Sequence, residues 1–155
     1  MSPFRKILVP VDFSAHSEEA MRIACAMAET FGASLTLVNV FSPPIYPTPE
    51  GAYVALPATY AEIVAETNKH LEELAARIKR EHEGLAVDSR TLEGVAFREI
   101  VGFARRHDFD LIVMGTHGRT GLKHALLGSV AEKVVRKAPC AVLTVRLGGH
   151  TFEHP

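Results

Sequence analysis

The 155 residues match the length of one ordinary domain, and 47% hydrophobic against 23% charged residues excludes a disordered chain. The formal net charge is −1, with Lys and Arg dispersed along the sequence, which argues against nucleic acid as a partner. No apolar run nears the roughly 18 residues that span a bilayer, and polar residues arrive by Asp12, too early for a secretory leader, so a cytoplasmic protein without a membrane partner is expected.

In chain order, Ile7-Leu8-Val9-Pro10-Val11 is a short, nearly unbroken apolar run and predicts a strand over 4–11 covered on both faces. A helix follows, with Ser14 or Ser17 as its N-cap and Glu18 and Glu19 in its first turn. Ala20, Ile23, Ala24, Met27, Ala28 and Phe31 recur at steps of three and four, one buried face, and Gly32 is placed to end the helix. Residues 34–40 predict the second strand. Pro43, Pro44, Pro47, Pro49 and Pro57 exclude a helix interior or a central strand and predict a long surface loop over 41–57, either a lid over a ligand or a tolerated insertion.

A second helix is predicted from about 59 to 83, with Val64, Leu71, Leu74, Ala75 and Ile78 inward and Gly84 as its stop. Residues 85–91 alternate like a third strand whose polar face suits a sheet edge. A third helix over 95–106 buries Phe97, Ile100, Val101 and Ala104. Leu111-Ile112-Val113-Met114 is the most apolar strand and is expected at the centre of the sheet. After the loop 115–126 come a short helix over 129–137 and a last strand over 139–146. One domain over 1–147 is expected, with a frayed tail over 148–155. Cys25 and Cys140 each fall in an apolar segment as buried reduced thiols.

Five strands alternating with four helices predict an α/β three-layer sandwich of Rossmann-like type. Its sheet is five-stranded and mostly parallel, with right-handed crossovers and helices on both faces. In such sheets ligands bind beyond the carboxyl ends of the strands, where the strand order reverses. The residues after the first, second and fourth strands are therefore the place to look.

Gly115-Thr116-His117-Gly118-Arg119-Thr120-Gly121 follows the fourth strand, and Gly128-Ser129 opens the last helix. Gly115 and Gly118 allow a sharp turn with exposed N–H groups and a close approach of phosphate to the main chain. The helix start adds unpaired N–H groups, a positive dipole end and the Ser129 hydroxyl. Two anion sites joined by a connector suit a polyphosphate better than a single carboxylate. A Walker A loop is excluded because no Gly-Lys stands at the required offset. A dinucleotide fingerprint is excluded because the first strand leads into Pro10-Val11-Asp12-Phe13-Ser14. His16, His107, His117 and His124 lie on different elements without metal-type spacing and read as solvated surface side chains. No Ser-His-Asp or Cys-His arrangement is present to carry nucleophilic catalysis.

Gly115-x2-Gly118-x9-Gly128-Ser129 resembles the G-x2-G-x9-G-[ST] signature of ATP-binding universal stress proteins. Ile7-Leu8-Val9-Pro10-Val11-Asp12 and Asp110-Leu111-Ile112-Val113-Met114-Gly115 resemble that family's first and fourth strands. Gly128-Ser129-Val130-Ala131-Glu132-Lys133-Val134-Val135 and Pro139-Cys140-Ala141-Val142-Leu143 resemble its closing helix and strand, so the resemblance covers residues 4–146. It implies a fold of the adenine nucleotide alpha hydrolase-like kind and a bound ATP. Val11 and Val40 would form an apolar slot for adenine, with Pro10 beside Val11 after the first strand. Asp12 would accept from the ribose, help hold a divalent cation, or only cap the first helix. Met114 and Gly115 would line the ribose side. Gly118, Gly128, Ser129 and Val130 would hold the phosphates, with Arg119 and Lys123 as added charge. A magnesium or manganese ion would ride on the phosphates rather than in a cage of protein side chains.

The same resemblance implies a homodimer through the closing strand, Cys140 to Val145, whose apolar edge needs cover. Three functions stay open: a nucleotide-dependent stress-response regulator acting on an unidentified protein partner, a slow and partner-stimulated ATPase, or a ligand-free dimeric interaction module. No catalytic residue is assigned, because no side chain stands out that would position an attacking water.

Overall fold

The chain runs β1 (Lys6–Pro10), α1 (Ala15–Phe31), β2 (Ser34–Phe41), β3 (Ile45–Thr48), β4 (Gly51–Val54), α2 (Pro57–Glu81), β5 (Val87–Glu93), α3 (Ala96–Arg106), β6 (Leu111–Gly115), α4 (Ser129–Lys137) and β7 (Ala141–Val145). The computed structural model describes residues 2–43, 45–54, 57–118 and 127–148, with the backbone alone at 45–48, 52–54 and 57. Arg119, Lys123, His124 and the expected tail beyond Gly148 lie outside the described residues.

Five strands form one parallel sheet in the order β5-β2-β1-β6-β7. Alternating side chains of each strand serve opposite faces, which is why nearly every residue of β1 and β6 is apolar. Ile7, Val9, Leu35 and Leu37 pack beneath α1 and α2 with Ala24, Leu71 and Ile78. Leu8, Val38, Ile112 and Met114 pack on the other face with Ile100, Ala104 and Val134 of α3 and α4. The expected three-layer α/β sandwich is thus the observed one. The order reverses between β1 and β6: from β1 the chain winds outward through β2 to β5, then returns to β6 on the other side. The carboxyl ends of β1 and β6 flank the crevice this creates.

Local chemistry sets the element ends. Ser14, in extended conformation, accepts from the Ser17 amide through its hydroxyl and is the N-cap of α1; Gly32 ends the helix at φ 65. The polar third strand of the sequence reading is the edge strand β5. It lies two residues later than expected, because its ladder with β2 begins at Leu35 with Val87 and runs on to Phe41 with Glu93. The largest correction concerns the proline-rich loop. Residues 45–54 form an antiparallel hairpin, pairing Ile45 with Val54 and Thr48 with Gly51. A two-stranded ribbon has two open edges, so prolines that would break a central strand are tolerated there. α2 also starts earlier than expected, at Pro57, a residue suited to a first helical turn. No described helix is long and apolar enough to cross a membrane.

Asp110 fastens the two central strands at their amino ends. Its Oδ2 accepts from the backbone N–H groups of Arg5 (2.8 Å) and Lys6 (2.9 Å), while its own N–H donates to Lys6 O (3.0 Å). The Arg5 amide above all holds this carboxyl below its ordinary value; burial, next in size, opposes it, and the Lys6 amide and both side-chain charges add to the lowering. The unfolded chain therefore takes up the proton first. The stabilisation is complete above the ordinary carboxyl value of about 3.9 and is lost as pH falls through the lower folded value. Asp110→Ala is expected to cost about 2 kcal/mol in urea unfolding near neutrality, a difference that shrinks in acid. A pH-independent difference would contradict the assigned role.

Candidate functional site

The crevice at the β1/β6 switch is a cleft of about 260 Å³. Pro10, Val11 and Asp12 enter it from the end of β1, and Val40 from the end of β2. Met114 and Gly115 line it from β6 and Gly118 from the loop beyond, while Gly128, Ser129 and Val130 close it at the start of α4. Ten of the twelve residues singled out from the sequence therefore meet in one place; the other two, Arg119 and Lys123, lie outside the described residues.

The floor is apolar: Val38, Ile100, Met114 and Ala131 are buried beneath the cleft. The rim is built from main chain. After β1, the Val11 N–H donates to Val38 O (2.8 Å) and its carbonyl accepts from Asn39 Nδ2 (2.8 Å), so the loop is pinned to β2 by a buried side-chain amide. Asp12 Oδ1 accepts from the Ser14 N–H (3.0 Å), which braces the turn into α1. Phe13 completes that turn at φ 62, a left-handed conformation costing an L-residue about 1–2 kcal/mol.

The three glycines earn their places in different ways, and two differ from the sequence expectation. None has the positive φ that a left-handed turn demands. Gly115 is glycine because α1 crosses it: a Cβ there would lie 2.8 Å from His16 Cβ and 2.9 Å from its carbonyl carbon. Gly128 presses its Cα against the opposite loop, where a Cβ would meet Thr116 O at 3.2 Å, and its N–H donates to that oxygen at 2.6 Å. Its amide is therefore committed within the protein, not held open for a ligand. The Thr116 N–H is likewise used, donating to Val145 O (2.9 Å).

What remains for an anion is the Gly118 N–H, without a hydrogen bond among the described residues, and the first amides of α4 at Ser129 and Val130, which a helix cannot satisfy internally. The Asp12 carboxylate borders the same spot: a Cβ on Gly118 would stand 2.7 Å from its Oδ2.

A family model described as the universal stress protein family matches residues 3–146. This chain belongs to that family. It is 40% identical over 147 residues to a universal stress protein of Methanocaldococcus jannaschii, covering 92% of this chain and 82% of the relative. The structure of the universal stress protein UspA from Lactobacillus plantarum is similar at a TM-score of 0.78 and 27% identity, covering 92% of this chain and 98% of its own. A universal stress protein solved in complex with cAMP shares the fold at a TM-score of 0.70 and 23% identity, over 93% of this chain and 98% of its own.

In this universal stress protein the histidines depart from the sequence reading. His16 and His117 are part-buried rather than solvated, with ring centroids 5.4 Å apart, and His117 Nδ1 lies 3.0 Å from the buried Thr116 hydroxyl. His107 is exposed, as expected. No group of three or more metal-ligating side chains exists among the described residues. Cys25 is buried, which pushes its thiol up to about 11, whereas Cys140 is only half-buried.

Sequence reasoning gave no role to Asn39 or Thr116 and offered Ser17 only as an alternative N-cap, a place Ser14 takes. All three are buried polar residues: Ser17 bonds back to Ser14 O and Thr116 meets the adjacent His117, while Asn39 reaches Val11 O far away in sequence. A larger cavity, about 540 Å³, opens between α1 and α2. It shares Val11 and Ser17 with the cleft but reaches neither Gly118 nor the start of α4.

Proposed function

We propose that this universal stress protein binds ATP in the cleft between β1 and β6 and acts as a nucleotide-dependent regulator of a protein partner. The observation that carries this reading is the placement of the Gly118 N–H next to the start of α4, at the rim of an apolar slot. Polyphosphate suits the amides, and a flat heteroaromatic ring suits the slot beside Val11, Val38 and Val40. The cAMP complex of a protein with the same fold supports an adenine nucleotide as the ligand class.

In this reading Gly118, Ser129 and Val130 bind phosphate oxygens through main-chain N–H groups. Asp12 accepts a hydrogen bond from a ribose hydroxyl while keeping the Ser14 amide. The donor set does not fit a cation held by protein alone, since the described residues place one carboxylate, Asp12, at the cleft. Magnesium or manganese would be carried by the phosphates, with Asp12 as the one side-chain oxygen able to join them. Regulation follows if bound nucleotide favours one arrangement of the 115–128 connection over others, a shift set by differential affinity.

Isothermal titration of ATP with magnesium into nucleotide-stripped protein tests the reading. Saturable binding at one site per chain is expected; no heat at millimolar nucleotide would remove it.

Self-association through β7 belongs to the same proposal. β7 is an edge strand on which Leu143 is exposed, and Val135 of α4 and Leu147 are exposed as well. Pairing with a two-fold copy would cover this apolar edge. A monomer in sedimentation at micromolar concentration would contradict it.

A further inference from the structure

We infer that the outer surface of α3 and α4 is a docking face for an acidic segment of a partner protein that carries an apolar anchor. The inference stands apart from the nucleotide cleft. α3 and α4 hold Arg98, Arg105, Arg106, Lys133, Arg136 and Lys137 against two carboxylates, Glu99 and Glu132. On the other side of the sheet, α1 and α2 hold eight carboxylates against five Lys and Arg residues. A chain of net charge −1 is therefore polarised across its sheet: cations are shared between the layers, but the carboxylates gather on α1 and α2 and leave α3 and α4 with a cationic excess.

Helix ends explain part of this. Arg105, Arg106, Arg136 and Lys137 stand in last turns, where a cation suits the helix dipole. Arg98 and Lys133 do not. Only Arg136 finds a carboxylate, Glu132 at 3.0 Å; the other five cations have no ion pair among the described residues. Uncompensated like charges on adjoining helices repel one another, and an anionic partner relieves that repulsion.

The face is also more than a charged surface. Phe97 lies half-buried at its centre, with Lys133 Nζ 5.1 Å, Arg98 Cζ 5.8 Å and Lys137 Nζ 5.9 Å from its ring centroid. Beside it a hollow of about 420 Å³ is lined by Phe97, Arg98, Val101, Arg105 and Lys137. An apolar floor inside a cationic rim fits an aromatic or aliphatic side chain flanked by carboxylates. A phosphodiester backbone would use the rim and leave the floor empty, so an acidic peptide is the better match.

Fluorescence anisotropy provides the test. The probes are a labelled peptide of aspartate and glutamate around one central phenylalanine, the same peptide with alanine at the centre, and a labelled single-stranded oligothymidylate. The phenylalanine peptide is expected to bind saturably, more weakly at high salt, and more tightly than the alanine peptide. Arg105→Glu combined with Lys137→Glu is expected to weaken it about tenfold or more, with only a small drop in the thermal melt, because both side chains are exposed and give up little beyond their favourable place at a helix C-terminus. Lys137→Arg should retain binding. The inference is overturned by no saturable binding of the phenylalanine peptide, by equal affinity for the double variant, by equal affinity for the alanine peptide, or by preference for oligothymidylate.

Discussion

Gly115→Ala is expected to destabilise the protein by about 3 kcal/mol, at the upper end of what one added methyl costs in a packed interior. The new Cβ would lie within 3.0 Å of three His16 atoms, two of them backbone. A side chain can rotate out of such a clash, but the first turn of α1 cannot. That turn is held by the Ser14 cap and by Ser17, whose hydroxyl donates to Ser14 O (3.0 Å). Relief therefore requires α1 to lift from β6, loosening packing around Ala20 and Ala24, both fully buried. For a chain of this size the melting temperature should drop by roughly 6–12 °C, measured by circular dichroism. A change within about 0.5 kcal/mol, the range of an ordinary surface substitution, would show that the close crossing of α1 over β6 is wrong.

Gly118→Ala is expected to behave in the opposite way. Its Cβ would meet Asp12 Oδ2 at 2.7 Å, the far end of a side chain that can swing aside, and among the described residues otherwise only Asp12 Cγ at 3.9 Å. The fold should hold, with a loss below about 1 kcal/mol. The methyl group would nevertheless stand over the open Gly118 amide and push away the carboxylate assigned to the ribose. ATP affinity should fall about ten- to a hundredfold, or about 1.4–2.8 kcal/mol, in calorimetry beside the unsubstituted protein. Unchanged affinity in a well-folded variant would separate Gly118 from the ligand. The two glycines, three residues apart in one motif, thus have distinguishable physical jobs.

The layers of this fold were legible because each rests on a local pattern. Ile7-Leu8-Val9 and Leu111-Ile112-Val113-Met114 are buried on both faces, so their unbroken apolar character announced central strands. Ser14 and Gly32 mark α1 through capping chemistry that depends only on neighbours in sequence. The site was legible in outline for a related reason: carboxyl ends of strands are where a parallel sheet places its ligands, and the Gly-rich segment follows such a strand.

Other features depend on contacts distant in sequence. The hairpin at 45–54 was hidden because proline content speaks against central strands and says little about a free-standing ribbon. Asn39 gave no signal, since its partner, Val11 O, comes from the loop after the neighbouring strand β1. The glycine motif pointed to the right residues for a partly different reason. Gly115 admits a helix, Gly128 closes on the Thr116 carbonyl, and only Gly118 keeps its amide open among the described residues. The basic layer was concealed by a net charge of −1, because cations dispersed in sequence converge only when α3 and α4 pack side by side.

Amide chemical shifts of nitrogen-15-labelled protein during an ATP titration test the central claim most directly. The Gly118, Ser129 and Val130 amides should shift most and saturate together, with Val11 and Val40 following from the adenine side, while amides of the outer α2 surface stay still. Shifts that avoid Gly118 and the first turn of α4, or that gather in the cavity between α1 and α2, would contradict the nucleotide cleft proposed between β1 and β6.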